Sequence, residues 1–127
     1  MISGYYAALE RTLSVSDVDL VSLANWETSV AAHEYGMSHL ELGISCAEVN
    51  HKINAFFEEW DLLKYRTFGF GQSFGLLSHY YGREAGLELR EEAEAVLEPG
   101  MVISMEPMLT ISEGKPGAGG YRKHDFW

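Results

Sequence analysis

The sequence predicts an α+β domain in which two helices pack on an antiparallel sheet. Three observations carry this expectation. Residues 23–40 and 46–60 repeat apolar side chains at helical spacing. Residues 101–106 and 121–127 are short apolar or alternating runs of strand length. Glycine and proline punctuate the intervals, at 69–75, at Glu98-Pro99-Gly100 and at 114–120.

Taken in order, residues 4–13 hold Tyr5, Tyr6, Leu9, Thr12 and Leu13 and read as a strand or hairpin arm. Ser16 offers an N-cap, with Asp19 three positions on. Leu23, Trp26, Val30, His33, Met37 and Leu40 advance by threes and fours, which places them on one face of a long helix. Gly43 stands where a helix stop belongs. Ser45-Cys46-Ala47-Glu48 has capping-box spacing and opens a second helix, with Val49, Ile53, Phe56 and Trp60 as its buried stripe. Residues 65–68 and 86–90 read as short strands, and 91–96 as a helical turn. Residues 101–106 form an apolar strand that ends on a carboxylate before Pro107, and 121–127 a last strand.

The chain has 127 residues, which suits one small domain or part of a larger one. Nineteen Asp and Glu against nine Lys and Arg give a formal charge of −10, which disfavours a nucleic-acid partner by repulsion from phosphate. No apolar run approaches the ~20 residues of a membrane span, so no membrane partner is expected. The single cysteine, Cys46, excludes an internal disulfide and a cysteine-cage metal site. A strand pattern begins almost at once, and the last residues are large aromatics. These ends are expected to be cuts in a longer protein.

Glu106 is the most informative candidate. A carboxylate at the end of an apolar strand is costly to bury without a partner, and Pro107 holds Glu106 in an extended backbone. A metal, a cationic substrate or an arginine would compensate it, or it faces solvent. On an alternating strand Glu10 shares a face with Ala8 and Tyr6, and the alternative is an exposed pair with Arg11. The glycines around Gln72 match no phosphate loop, and suit close backbone approach with Gln72 projecting into a cavity. Arg83 stands beside Tyr80 and Tyr81 and would suit a carboxylate ligand, or would pair with Glu84, Glu88 or Glu91. His33 reads as a packed core histidine. Cys46 at a helix start would favour a thiolate, yet has no evident histidine partner.

Several runs resemble one family: Tyr5-Tyr6-Ala7-Ala8-Leu9-Glu10-Arg11-Thr12, Tyr80-Tyr81-Gly82-Arg83-Glu84, Ile103-Ser104-Met105-Glu106-Pro107 and Gly119-Gly120-Tyr121-Arg122. They look like the creatinase family, over essentially the whole chain. The resemblance implies the pita-bread fold shared with methionine aminopeptidase and prolidase, here incomplete: a curved antiparallel sheet with two main helices. Residues 1–127 would be part of a C-terminal catalytic domain, with an N-terminal domain and the first catalytic strands upstream.

The resemblance also implies hydrolysis of creatine to sarcosine and urea by a metal-free amidinohydrolase. Glu10 and Glu106 would grip the guanidinium nitrogens, with His124 as a catalytic neighbour. Tyr6, Gln72 and Arg83 would contact the substrate. The metal-binding relatives use two Asp, one His and two Glu. By the resemblance Ala8, Gln72 and Lys123 fall at three of those places, so neither metal nor other cofactor is expected. Gln72 in place of histidine and Lys123 in place of glutamate imply weakened activity, with Lys123 lowering the proton affinity of His124. A cytoplasmic homodimer is implied for the intact protein. Two other readings remain open: a non-catalytic pita-bread module that binds a small guanidino or peptide ligand, and a relative acting on Xaa-Pro bonds.

Overall fold

A computed structural model of the chain describes residues 4–76 and 87–127. Helix α1 runs Leu20–Ser38, and its cap is Asp19 where Ser16 was expected. Asp19 Oδ1 accepts the amides of Val21 and Ser22, each at 3.0 Å, which satisfies two of the donors a helix start leaves free. Helix α2 runs Cys46–Glu59 and has the expected cap, Ser45 Oγ accepting the Glu48 amide at 3.1 Å.

The apolar stripe expected on α1 is only partly its buried face: His33 and Leu40 are buried as expected, but its other large apolar members are not. Asn25, Ser29, Ala32, His33 and Gly36 are buried, whereas Leu23 is exposed and Trp26, Val30 and Met37 are half-buried. Close contact selects these small residues. A Cβ at Gly36 would lie 2.7 Å from Met105 Sδ and 2.9 Å from Ile53 Cδ1. On α2, Val49 and Ile53 are buried as expected, but Phe57 takes the buried place foreseen for Phe56, and Trp60 is exposed. A 3-10 turn at Leu63–Tyr65 runs into the start of the strand expected over 65–68, of which only Arg66 pairs, in a single bridge to Leu109. The helical turn expected over 91–96 is reduced to one hydrogen-bonded turn, the Ala93 amide donating to the Arg90 carbonyl at 3.2 Å.

The sheet is antiparallel and centres on one long strand. Strand β1 is Glu10–Arg11, β2 is Ser104–Met105, β3 is Met108–Ile111 and β4 is Gly119–Phe126. β1 pairs with β4, matching Glu10 to His124 and Arg11 to Lys123. β2 and β3 also pair with β4, matching Ser104 to Phe126 and Met108 to Arg122. These two strands keep one common register. Continuing it from β2 into β3 sets Glu106 opposite His124. Pro107 has no N–H and breaks the ladder at that point.

Residues on a strand alternate between faces, so β4 presents two different surfaces. Tyr121, Lys123 and Asp125 meet α1. The Ser29 hydroxyl donates to the Tyr121 carbonyl at 3.3 Å, Lys123 Nζ lies 3.5 Å from Glu34, and His33 Nε2 lies 3.3 Å from Asp125. Arg122, His124 and Phe126 occupy the other face. Ile53, Phe57, Phe70, Leu89, Ile103, Met105 and Leu109 form the fully buried core between sheet and helices.

Candidate functional site

The register explains why three distant residues meet. Glu10 and His124 are direct cross-strand partners, and Glu106 continues the same row from the other side of β4. Directly opposed residues of antiparallel strands point to one face. His124 therefore lies between two carboxylates. The mutual hydrogen bonds of Ile103 and Trp127, at 3.2 and 2.9 Å, set the phase of the β2–β4 ladder. In that phase Glu106 and His124 fall at a non-hydrogen-bonded pair, where side chains approach most closely.

His124 Nδ1 lies 3.5 Å from Glu10 Oε2 and 3.7 Å from Glu106 Oε2. Ligand atoms of all three residues lie within 4.8 Å of one another. The His124 and Glu106 side chains are 1% and 5% exposed, whereas that of Glu10 is 44% exposed, so the cluster opens on the Glu10 side. Among the described residues, neither ring nitrogen of His124 has a hydrogen-bond partner. A buried, unsatisfied imidazole nitrogen facing two carboxylate oxygens is a mixed N/O donor set that suits a divalent metal. These residues fit such an ion.

Arg122 completes the group. Two positions before His124, it shares the same face of β4. Its Nη2 lies 2.6 Å from Glu106 Oε2 and also pairs with Glu10 Oε2. Its guanidinium sits 5.4 Å from the centre of the Phe68 ring. The Ser104 hydroxyl, two positions before Glu106, lies 3.2 Å from Glu106 Oε1 and accepts the Gln72 amide at 3.0 Å. Gly71 allows this approach, since a Cβ there would stand 1.9 Å from the Ser104 carbonyl oxygen. The Phe74 and Phe126 rings flank His124, with centroids 5.8 and 5.5 Å from the imidazole.

A second arginine holds the frame. Arg11 Nη1 donates to the backbone carbonyls of Glu10 at 2.7 Å and His124 at 2.8 Å, and Nη2 donates to Asp125 at 2.5 Å. One guanidinium thus ties together the backbones that carry two of the cluster residues. Asp125 in turn faces the buried His33. Burial, with Lys123 next in size, holds His33 down at about 4 despite Asp125. Burial pushes the Cys46 thiol up to about 11, so its helix-start position yields no thiolate nucleophile.

The sequence-derived site is thus brought together in part. Glu10, Glu106 and His124 meet. Gln72 reaches Glu106 through its backbone and Ser104. Tyr6 is 46% exposed and is tied to Gly75 by a 2.8 Å backbone hydrogen bond. Arg83 lies outside the described residues. Lys123 is corrected: it projects toward α1, away from the cluster, and the ligand-type side chain on that strand is His124. Sequence reasoning missed Arg122 and Ser104 as site residues. The signal for both is strand alternation: Arg122 stands two positions before His124 and Ser104 two before Glu106.

The sequence profile of metallopeptidase family M24 matches residues 1–126. The chain is 58% identical over 126 residues to the creatinase of a Bacillus species, covering 99% of this chain and 31% of that protein. The prolidase from Pyrococcus furiosus superposes with a TM-score of 0.85 at 23% identity, over 98% of this chain and 34% of that one. An Xaa-Pro dipeptidase from Bacillus anthracis gives 0.83 at 25% identity, over 97% and 32%. The chain thus spans about a third of the length of these relatives. The pita-bread-like α+β fold, with its curved antiparallel sheet and two main helices, is as expected.

The metal-free amidinohydrolase is not. That expectation rested on ligand positions lost at Ala8, Gln72 and Lys123. The fold instead assembles a metal-competent cluster from Glu10, Glu106 and His124, in a chain whose matching family is one of metallopeptidases. With the match running over nearly every residue, the chain belongs to metallopeptidase family M24.

Proposed function

We propose that this chain carries the reaction centre of a hydrolase in the creatinase branch of the family. It would cleave a carbon–nitrogen bond, with a divalent cation held by Glu10, Glu106 and His124. One observation carries the reading: ligand atoms of these three residues lie within 4.8 Å of one another, around the unsatisfied nitrogens of His124. The creatinase likeness supports the branch. A bound cation would act as a Lewis acid and activate water near neutral pH.

The chain's own groups supply positioning. Ser104 and Arg122 fix the Glu106 carboxylate, so it is oriented before anything binds. Glu10, on the open side, is the ligand nearest an arriving substrate. Phe74 and Phe126 keep bulk water from His124, which strengthens every charge interaction there. Tyr6, Gln72 and Arg83 are the proposed substrate contacts, and a homodimer is the proposed state of the intact protein.

The test loads the full chain with Mn²⁺ and follows C–N hydrolysis of creatine and of an Xaa-Pro dipeptide, with and without a chelator. Retained metal and chelator-sensitive turnover of either substrate support the proposal, and the substrate turned over fixes the branch. A folded protein that retains no metal, or whose turnover ignores both chelator and Glu106→Gln, overturns it.

A further inference from the structure

The same two carboxylate oxygens serve two potential partners. Glu10 Oε2 and Glu106 Oε2 are the atoms that face His124 Nδ1, at 3.5 and 3.7 Å. They are also the atoms that hold Arg122 Nη2, at 2.6 Å for Glu106. A cation ligated through these oxygens would take the place of that nitrogen, and two positive charges at contact distance repel strongly in a partly buried site. The Arg122 Nε has no hydrogen-bond partner, and the side chain is 25% exposed. Among the described residues, its anchorage beyond the two carboxylates is the face of Phe68. Thr12 Oγ1 holds the backbone of Arg122 by accepting its amide at 2.9 Å.

We propose that Arg122 is a built-in counter-cation of this site. Its guanidinium neutralises the Glu10–Glu106 pair and is displaced when a divalent ion takes the shared oxygens. Arg122 therefore lowers the affinity of the site and rejects weakly held ions. The inference rests on the cation reading above and adds a residue that sets its strength.

The experiment measures Mn²⁺ binding by electron paramagnetic resonance and calorimetry, on the native full chain, Arg122→Gln and Arg122→Lys, with circular dichroism to confirm folding. Loss of a charged hydrogen-bonded competitor should tighten Mn²⁺ binding about tenfold or more in Arg122→Gln. Arg122→Lys, which keeps the charge but loses the planar fork, should fall between. If Arg122→Gln does not fold, the lysine variant decides, and it must still bind more tightly than native. Native binding with equal or weaker binding in the variants overturns the counter-cation role and leaves the cation site standing. Absence of Mn²⁺ binding in native and variants alike overturns both.

Discussion

Two arginine-centred clusters use similar parts and end in different states. In the first, Arg66, Glu91, Asn54 and Asn50 tie the 89–91 segment to α2. Asn54 Nδ2 donates to Glu91 at 2.9 Å and to Asn50 Oδ1 at 3.0 Å, Asn54 Oδ1 accepts from Arg66 at 2.8 Å, and Asn50 Nδ2 donates to the Leu89 carbonyl at 2.8 Å. Burial by itself would raise Glu91, but Arg66 and Asn54 outweigh it and hold the carboxyl at about 2. In the second, Arg122 serves two carboxylates at once. The His124 nitrogens and Arg122 Nε stay without hydrogen bonds. The closed cluster has spent its bonding capacity on the fold. The open one retains capacity for something that arrives, which is where function is expected.

The sharpest way to break the comparison is to neutralise one carboxylate in each cluster. Glu106→Gln should lower Mn²⁺ affinity about a hundredfold or more, since loss of groups that merely support a metal site already costs 10–100-fold. Its thermal midpoint should stay near native, because Arg122 keeps Glu10. Calorimetry and a melting curve on the same sample check both halves. Unaltered affinity would show that the open cluster is structural after all.

The next effect is acid sensitivity. His33 is neutral in the folded state down to about 4, against an ordinary value of 6.5. The unfolded chain therefore binds the extra proton between those values. Its contribution is intact above pH 6.5 and is lost as pH falls toward 4, on the order of 3 kcal/mol. His33→Gln should flatten the stability profile in that window, measured by urea unfolding across pH.

Glu91→Gln should cost about 1 kcal/mol at neutral pH, because its side chain is 38% exposed and solvent screens the pair. The lowered carboxyl gives stability present above its ordinary 4.5 and lost as pH falls through about 2. Mn²⁺ affinity should not change, which is the reverse of Glu106→Gln. The smallest effect belongs to Cys46: alkylation under native conditions should leave the thiol unmodified, and mass spectrometry reads this directly.

Legibility in the sequence divides along similar lines. The Ser45–Glu48 cap and the last strand follow from local chemistry and the structure has both, whereas the strand expected over 101–106 is shortened to Ser104–Met105, with Glu106 just past its end. The buried face of α1 did not follow, because periodicity weighs apolar bulk while the helix–sheet contact at Gly36 rewards smallness. Glu10, Glu106 and His124 are legible as separate residues, Glu106 by the physics of a stranded carboxylate, Glu10 by its strand face shared with Tyr6, and all three by resemblance. Their meeting depends on the register of β1 and β2 against β4, a non-local property. A misplaced ligand position at Lys123 shows the cost, since a shift of one residue reverses the face.

The cluster draws its first and last members from nearly opposite ends of the chain, Glu10 on β1 and His124 on β4. No short fragment of the polypeptide contains it, and loop-closure entropy opposes it until β1 docks. A cation that needs both residues binds the native state and not the unfolded chain, and so adds its binding free energy to stability. The ion would then act as a topological latch, fastening the longest closure in the sheet at the same place where the proposed chemistry would occur.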